Sequence, residues 1–332
     1  MLLSIVTPTR GNFSSYWFEQ LRSIQGDVEF ILVYPPGQVI QEFNDSRIKA
    51  IVSPYKGELI QRATGLLNVS GDYVIALDDD DFLHPQITDI VKSYFELYPG
   101  SICLRLCKKS IHYQDTKSIE RSWDDLPDIA KLTAVETKYN REEYAESEIL
   151  QEIPISPLNN KFKLNSLWFY SERTDQKGPH PENFNNKVWK TNITREAVED
   201  LLSFTQILGS LTWIPFWCFD RLLGLYLQAR IFQQGMVLGH WLHGAEQIRY
   251  IQAAWSTKGE IRSAFAADML LALRFPQHGY FWNLFFHEMW FALKIFIKTK
   301  LDRISKGFRV KVLAFSKLLA ALRYLLWSDR GA

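Results

Sequence analysis

A chain of 332 residues, 47% of them hydrophobic, has room for two modest domains or for one domain with extensions. A net charge of +1 excludes the overall basicity of a nucleic-acid binder. Three cysteines form neither an even disulfide set nor a metal-ligand pattern, which fits a reducing compartment.

The N-terminal residues 2–7 lack a basic leader and a long apolar run, so they read as a buried strand and not as a signal peptide. The loop Pro8-Thr9-Arg10-Gly11-Asn12 comes next, then a helix over 14–24 with Phe18, Leu21 and Ile24 on one side. Strands are predicted over 28–34, where Pro35-Pro36-Gly37 stops the run, and over 48–52. Residues 58–67 suit a helix ending near Gly71, and 73–77 a strand. His84-Pro85 opens the next helix, which ends before Pro99-Gly100, and 101–106 returns to strand. This alternation predicts a doubly wound α/β sheet over residues 1–110.

Residues 112–190 are polar and poorly periodic and read as an insertion with some helix. The whole part from 111 to 255 is expected to bind an acceptor. Residues 201–219 carry no charge, but Ser, Thr, Gln, Gly and Pro215 favour a buried segment over a membrane span. Residues 221–234 suit a helix closed by Gly235.

Residues 256–332 form the last part. Within it, 285–332 holds ten Lys/Arg against three Asp/Glu, leaving 28 of the 38 basic and 34 of the 37 acidic residues to the rest. Apolar residues recur at helical spacing from Phe286 to Phe308 and from Val312 to Leu326. A basic amphipathic helix pair suits an anionic membrane surface, met by residues 285–327, or else an ordinary helix packed on the core with a solvated face.

The acidic run Asp78-Asp79-Asp80-Asp81 directly succeeds the strand Tyr73-Val-Ile-Ala-Leu77. Four adjacent carboxylates repel one another and do nothing for folding. A divalent cation explains them, because hard cations take carboxylate oxygens, and ligands of open α/β sheets sit at the carboxyl ends of strands.

Two stretches carry a resemblance to a known family. They are the opening strand Leu3-Ser-Ile-Val-Thr-Pro-Thr-Arg-Gly11 and the block from Gly57 through Arg62, Gly65 and Gly71 to Asp81. Both resemble glycosyltransferase family 2, inverting enzymes of the GT-A fold that use nucleotide-sugars. The resemblance covers residues 1–107, weakens afterwards, and partly returns at Phe219-Asp220-Arg221 and His243-Gly244.

The resemblance implies a DxD motif at Asp78 and Asp80, with Asp79 or Asp81 adjacent, a Mn²⁺ or Mg²⁺ cofactor held by Asp80 and Asp78, and His243 as a further metal ligand. Thr7, Pro8, Thr9, Arg10, Arg62, Asp78 and Asp79 would then line the nucleotide. Where the family often ends its second strand with a base-reading Asp, this chain has Val33-Tyr34-Pro35-Pro36, so Tyr34 is the substitute contact and the base is left open. Asp220 stands near the place of the general base, with Phe219 where the family often has Glu, and Trp213 and Trp217 are acceptor-stacking candidates. The implied reaction is sugar transfer to a hydroxyl of a glycan or lipid-linked glycan, in the cytoplasm or peripherally at the inner membrane face. Two other classes share part of the pattern: an Asp-x-Asp phosphatase with Asp78 as nucleophile, and a non-catalytic membrane-associated protein with a degenerate sugar-nucleotide site.

Overall fold

The computed structural model describes residues 1–137, 149–164, 183–208, 214, 218–252 and 264–306. In chain order, the first elements are β1 (Leu3–Pro8), α1 (Ser15–Ser23), β2 (Val28–Tyr34), β3 (Ile48–Val52), α2 (Glu58–Leu67) and β4 (Tyr73–Ala76). Next come β5 (Phe82–Leu83), α3 (Ile87–Leu97), β6 (Cys103–Arg105), β7 (Lys108–His112), α4 (Thr116–Glu120), a 3₁₀ turn (Ile129–Lys131), β8 (Thr133–Val135) and β9 (Ile149–Pro154). The last are β10 (Lys187–Lys190), α5 (Thr191–Leu208), α6 (Phe219–Arg230), β11 (Val237–Leu242), β12 (Ile248–Gln252), α7 (Phe265–Arg274) and α8 (Gly279–Lys306).

Among the described residues nine strands form one sheet in the order β3-β2-β1-β4-β10-β6-β11-β9-β8. The first four are parallel, β10 runs antiparallel to both neighbours, and β11 is again parallel to β6. Every residue of β1 is buried, as expected of a central strand covered on both faces. Its alternation distributes side chains to two cores. Leu3 and Ile5 join Trp17 of α1 and Ile87, Val91 and Tyr94 of α3. Val6 joins Leu59, Ala63 and Leu66 of α2, together with residues of α5, α6 and α7. Gly65 lets α2 lie against this second face, for a Cβ there would stand 2.3 Å from Val6 Cγ1 and 2.9 Å from Val33 Cγ2. This layered, mostly parallel arrangement is the GT-A fold that the resemblance implies.

Segments from both sides of residue 110 hydrogen-bond into this one sheet. Residues 112–190 are therefore not an insertion outside it: β8 and β9 extend one edge, and β10 fills a central position between β4 and β6. The sequence Lys187-Val-Trp-Lys190 is short and half charged, so neither length nor periodicity marked it as a strand. The helix expected at His84-Pro85 begins at Ile87, because Phe82 and Leu83 first pair with β12. The helix expected over 221–234 spans Phe219–Arg230, with Gly235 beyond it at φ +78°. The C-terminal amphipathic pattern starts earlier than expected, with α8 at Gly279, whose Tyr280, Phe281 and Leu284 are buried. The second half of that pattern, after Gly307, lies outside the described residues. Among the described residues no helix is long and apolar enough to cross a membrane.

Candidate active site

The carboxyl ends of β1, β2 and β4 open into a cleft of about 730 Å³. Pro8, Thr9, Arg10 and Asn12 come from the end of β1, Pro35 to Gln38 from the end of β2, Lys56, Gly57, Glu58 and Gln61 from the start of α2, and Asp78, Asp79 and Asp80 from the end of β4. Gln61 fixes one wall: its buried amide donates to Thr9 O at 3.2 Å and Val33 O at 2.6 Å. Asp79 fixes another, accepting from Thr9 Oγ1 at 2.6 Å, while Gly11 N donates to that same hydroxyl at 2.9 Å. Gly11 takes φ +79°, which only a residue without Cβ adopts freely.

Oxygen atoms of Asp78, Asp80 and Asp81 come within 4.8 Å of one another. The three differ in setting. Asp81 is buried, its carboxylate accepting from Ile251 N of β12 at 2.8 Å and its carbonyl accepting from Trp17 Nε1 at 2.8 Å. Burial, then the Asp78 charge, raises its pKa well above the usual carboxylate range. Asp80 stands at the exposed rim, where desolvation and then the charges of Asp78 and Asp79 push its carboxyl up to about 6. Asp79 is raised as well, by burial foremost. Carboxylates held this close and titrating this high have more charge than their neighbours offset, and they present the oxygen donors that a hard cation takes.

The nearby cation is Arg62, on the inward face of α2. It donates to Asp78 and, through Nη2 and Nε, to Glu58 at 3.1 and 3.2 Å. Its Nη1 is buried without a hydrogen-bond partner. Burial works against its charge, but Asp78, Glu58 and Asp220 outweigh that. Asp220 itself lies in the first turn of α6 and accepts from Asn185 N, while Phe184 N donates to its carbonyl at 2.9 Å. Burial raises the Asp220 pKa, and the Asn185 bond and the charges of Lys187 and Arg62 oppose the rise.

The comparisons with known proteins meet this geometry at the acidic run. The family model described as "Glycosyl transferase family 2" matches residues 36–147, a span that contains Glu58, Arg62 and all four aspartates. No curated protein matches the chain. Similar solved structures include S. aureus TarS 1–349 in complex with UDP, at 13% identity and TM-score 0.47, covering 82% of this chain and 65% of that one. The same protein in complex with UDP-GlcNAc gives 12%, 0.44, 82% and 66%, and TarS 1–349 by itself 14%, 0.44, 98% and 80%. This chain thus spans just under two thirds of the first two structures.

Of the family-derived candidates, Pro8, Thr9, Arg10, Asp78, Asp79 and Asp80 come together in the cleft, and Arg62 stands behind it. Thr7 is wholly buried in β1. Tyr34 does not face the cleft: its ring is wholly buried, its hydroxyl has no partner, and burial and then Asp79 raise its pKa. The β2 end presents prolines there instead. His243 is likewise not gathered with the aspartates. It is buried, its Nε2 pairs with Gln151 Oε1 at 2.9 Å, its ring lies 4.0 Å from Trp241, and burial pushes its pKa down to about 4. Trp213 and Trp217 lie outside the described residues. Sequence reasoning missed Glu58 and Gln61, whose i, i+3 spacing at the start of a helix was the available sign, and Lys187, which no motif marks.

Proposed function

We propose that this protein is a divalent-cation-dependent, inverting glycosyltransferase that moves a sugar from a nucleoside-diphosphate donor to a hydroxyl of a glycan or lipid-linked glycan. The observation that carries the reading is the trio Asp78, Asp80 and Asp81 with oxygens within 4.8 Å, at the end of β4 and beside a cleft built from the β1 and β2 ends.

The residues fit the ion: three hard oxygen donors, two of them raised in pKa by burial and by neighbouring carboxylates. Mn²⁺ or Mg²⁺ bound there would offset the charge that grows on the departing diphosphate. Arg62 holds Asp78 in place. Arg10 and Lys56 bring positive charge to the cleft wall, suited to phosphate oxygens. Asp79, locked by Thr9, orients the loop after β1 over which the nucleoside would lie.

Asp220 is the base. It accepts the proton of the acceptor hydroxyl as that oxygen bonds to the anomeric carbon and the bond to the phosphate oxygen breaks. Attack opposite the leaving group inverts the centre. A raised pKa suits a carboxylate asked to take a proton. The outward side of α8, with Phe291, Leu293 and Ile297 at 39, 39 and 47% exposure and Lys294 among them, supports peripheral contact with an anionic membrane carrying the acceptor.

The test is a panel of nucleotide-sugars with Mn²⁺, comparing the native protein with Asp80→Asn. Turnover by the native protein and its loss in a folded Asp80→Asn supports the assignment, and equal turnover in the two removes it. Release of phosphate from a phosphomonoester, with no sugar transferred, would favour the phosphatase class instead.

A further inference from the structure

The turn over residues 183–187 leads into β10, and two of its backbone amides meet Asp220. Phe184 N donates to Asp220 O at 2.9 Å, and Asn185 N donates to Asp220 Oδ1. Asn186 has φ +58°, and among the described residues it is the one non-glycine with positive φ. Asn tolerates that left-handed state better than other residues with a Cβ. The reversal is what aims two successive amides at the first turn of α6. Leu106 N holds the turn from the far side by donating to Asn186 O at 2.9 Å. Trp189 clamps it from the strand: its Nε1 donates to Phe184 O at 2.8 Å, and the two rings stack with centroids 5.5 Å apart.

Lys187 closes the device. It is the first residue of β10, only 1% exposed, and its Nζ donates to Asn183 O, tying the start of the turn to its end. A lysine in the middle of a nine-stranded sheet is expensive unless an anion offsets its charge. Its register partner on β6 is another cation, Arg105. Its charge bears on the Asp220 carboxylate.

We propose that Lys187 is a positioning residue for the transfer reaction: through the turn that it closes, it holds the Asp220 carboxylate ionised and oriented toward the acceptor. This rests on Asp220 being the base and adds the group that keeps it usable. Two cations bear on Asp220 from the elements packed beside it, Lys187 from β10 and Arg62 from α2, and both oppose the rise that burial imposes. Arg62 is shared with Asp78 and Glu58.

The experiment is a ¹³C carboxyl NMR titration of aspartate-labelled protein, with Asp220→Asn to assign the resonance, in native protein, Lys187→Met and Lys187→Arg. The Asp220 midpoint is expected to move up by about one unit or more in Lys187→Met and to return part-way in Lys187→Arg. The acid limb of kcat/KM should move with it, so that activity below the limb drops about tenfold while KM for the donor stays within about twofold. If Lys187→Met does not fold, Lys187→Gln, which keeps a donor for the Asn183 carbonyl, is read the same way. An unmoved Asp220 midpoint in a folded, uncharged variant overturns the proposal. A shifted midpoint in a protein that transfers no sugar would leave Lys187 coupled to Asp220 and defeat the base assignment instead.

Discussion

Arg62 reaches from α2 to Asp78 at the end of β4, so the helix before the acidic strand sets the position of the first aspartate after it. The side chain of Arg62 is 6% exposed, whereas those of Asp78 and Glu58 are 37% and 39% exposed. The pair therefore sits half in water, and its value lies more in geometry than in stability.

Replacing Arg62 tests this division. Arg62→Met keeps much of the buried stem but leaves Asp78 and Glu58 without their cation. Removing one partner of a fully buried pair costs about 3–5 kcal/mol. The exposure of both carboxylates brings the expected loss down to about 1–3 kcal/mol, read by urea unfolding. Transfer should suffer more, with kcat/KM down roughly 100-fold, because Asp78 loses its anchor. A variant with full activity would show that Asp78 is placed by its backbone alone.

The acidic cluster should also be visible in the pH dependence of stability. Asp80 titrates at about 6 in the folded state, above its ordinary value, so the folded protein binds more protons there than the unfolded chain. Stability from this group is present below the unfolded pKa and is lost as pH rises through about 6. Asp80→Asn should thus raise the Tm of the chelator-treated protein at about pH 7.5, raise it by about half as much at about pH 5, and lose the effect only below the ordinary aspartate range. His84, His240, His243 and His278, all shifted down chiefly by burial, act in the opposite sense, but they are common to both proteins and cancel in the difference. Mn²⁺ should raise the Tm of the native protein and not that of Asp80→Asn. An equal response in both would place the ion elsewhere.

Gly65 is tested by adding one methyl group. Its Cβ would stand 2.3 Å from Val6 Cγ1, and both Val6 and α2 are fixed by the second core. Gly65→Ala should destabilise by about 1–3 kcal/mol despite the better helix propensity of alanine. It should also disturb Arg62, one turn earlier on the same helix. A neutral or stabilising effect would mean that α2 moves away from β1 without penalty.

The outward side of α8 leads to a binding prediction. Phe291→Ser with Ile297→Ser removes two half-exposed apolar side chains and leaves Lys294 in place. Sedimentation with vesicles containing anionic lipid should fall about tenfold or more relative to the native protein, and binding should weaken with salt. Binding that neither the double variant nor salt alters would remove α8 from the contact.

Much of the frame was legible in the sequence because it is encoded locally. The runs at 28–34 and 48–52 match β2 and β3, and residues 58–67 match α2, since apolar period and turn residues act within a few positions. The acidic run announced itself because four like charges after an apolar strand have no folding role. The strand β10 did not, because its burial is imposed by β4 and β6 from far away in the chain. Tyr34 misled for a related reason: strand alternation turns it inward, to the face it shares with Phe30 and Leu32, and the motif position carries no information about facing.

By itself the sequence determined the alternating elements, the place of the carboxylates at a strand end and the match of residues 36–147 to the glycosyl transferase family 2 model. Only the tertiary structure decided that Asp81 is pinned by Trp17 and Ile251, that Arg62 is shared between Asp78 and Glu58, and that the turn before β10, closed by Lys187, meets Asp220. The physical reason is range. Backbone preference and hydrophobic period are properties of neighbours in the chain, whereas burial, countercharge and the pKa values they produce depend on groups up to 170 residues apart.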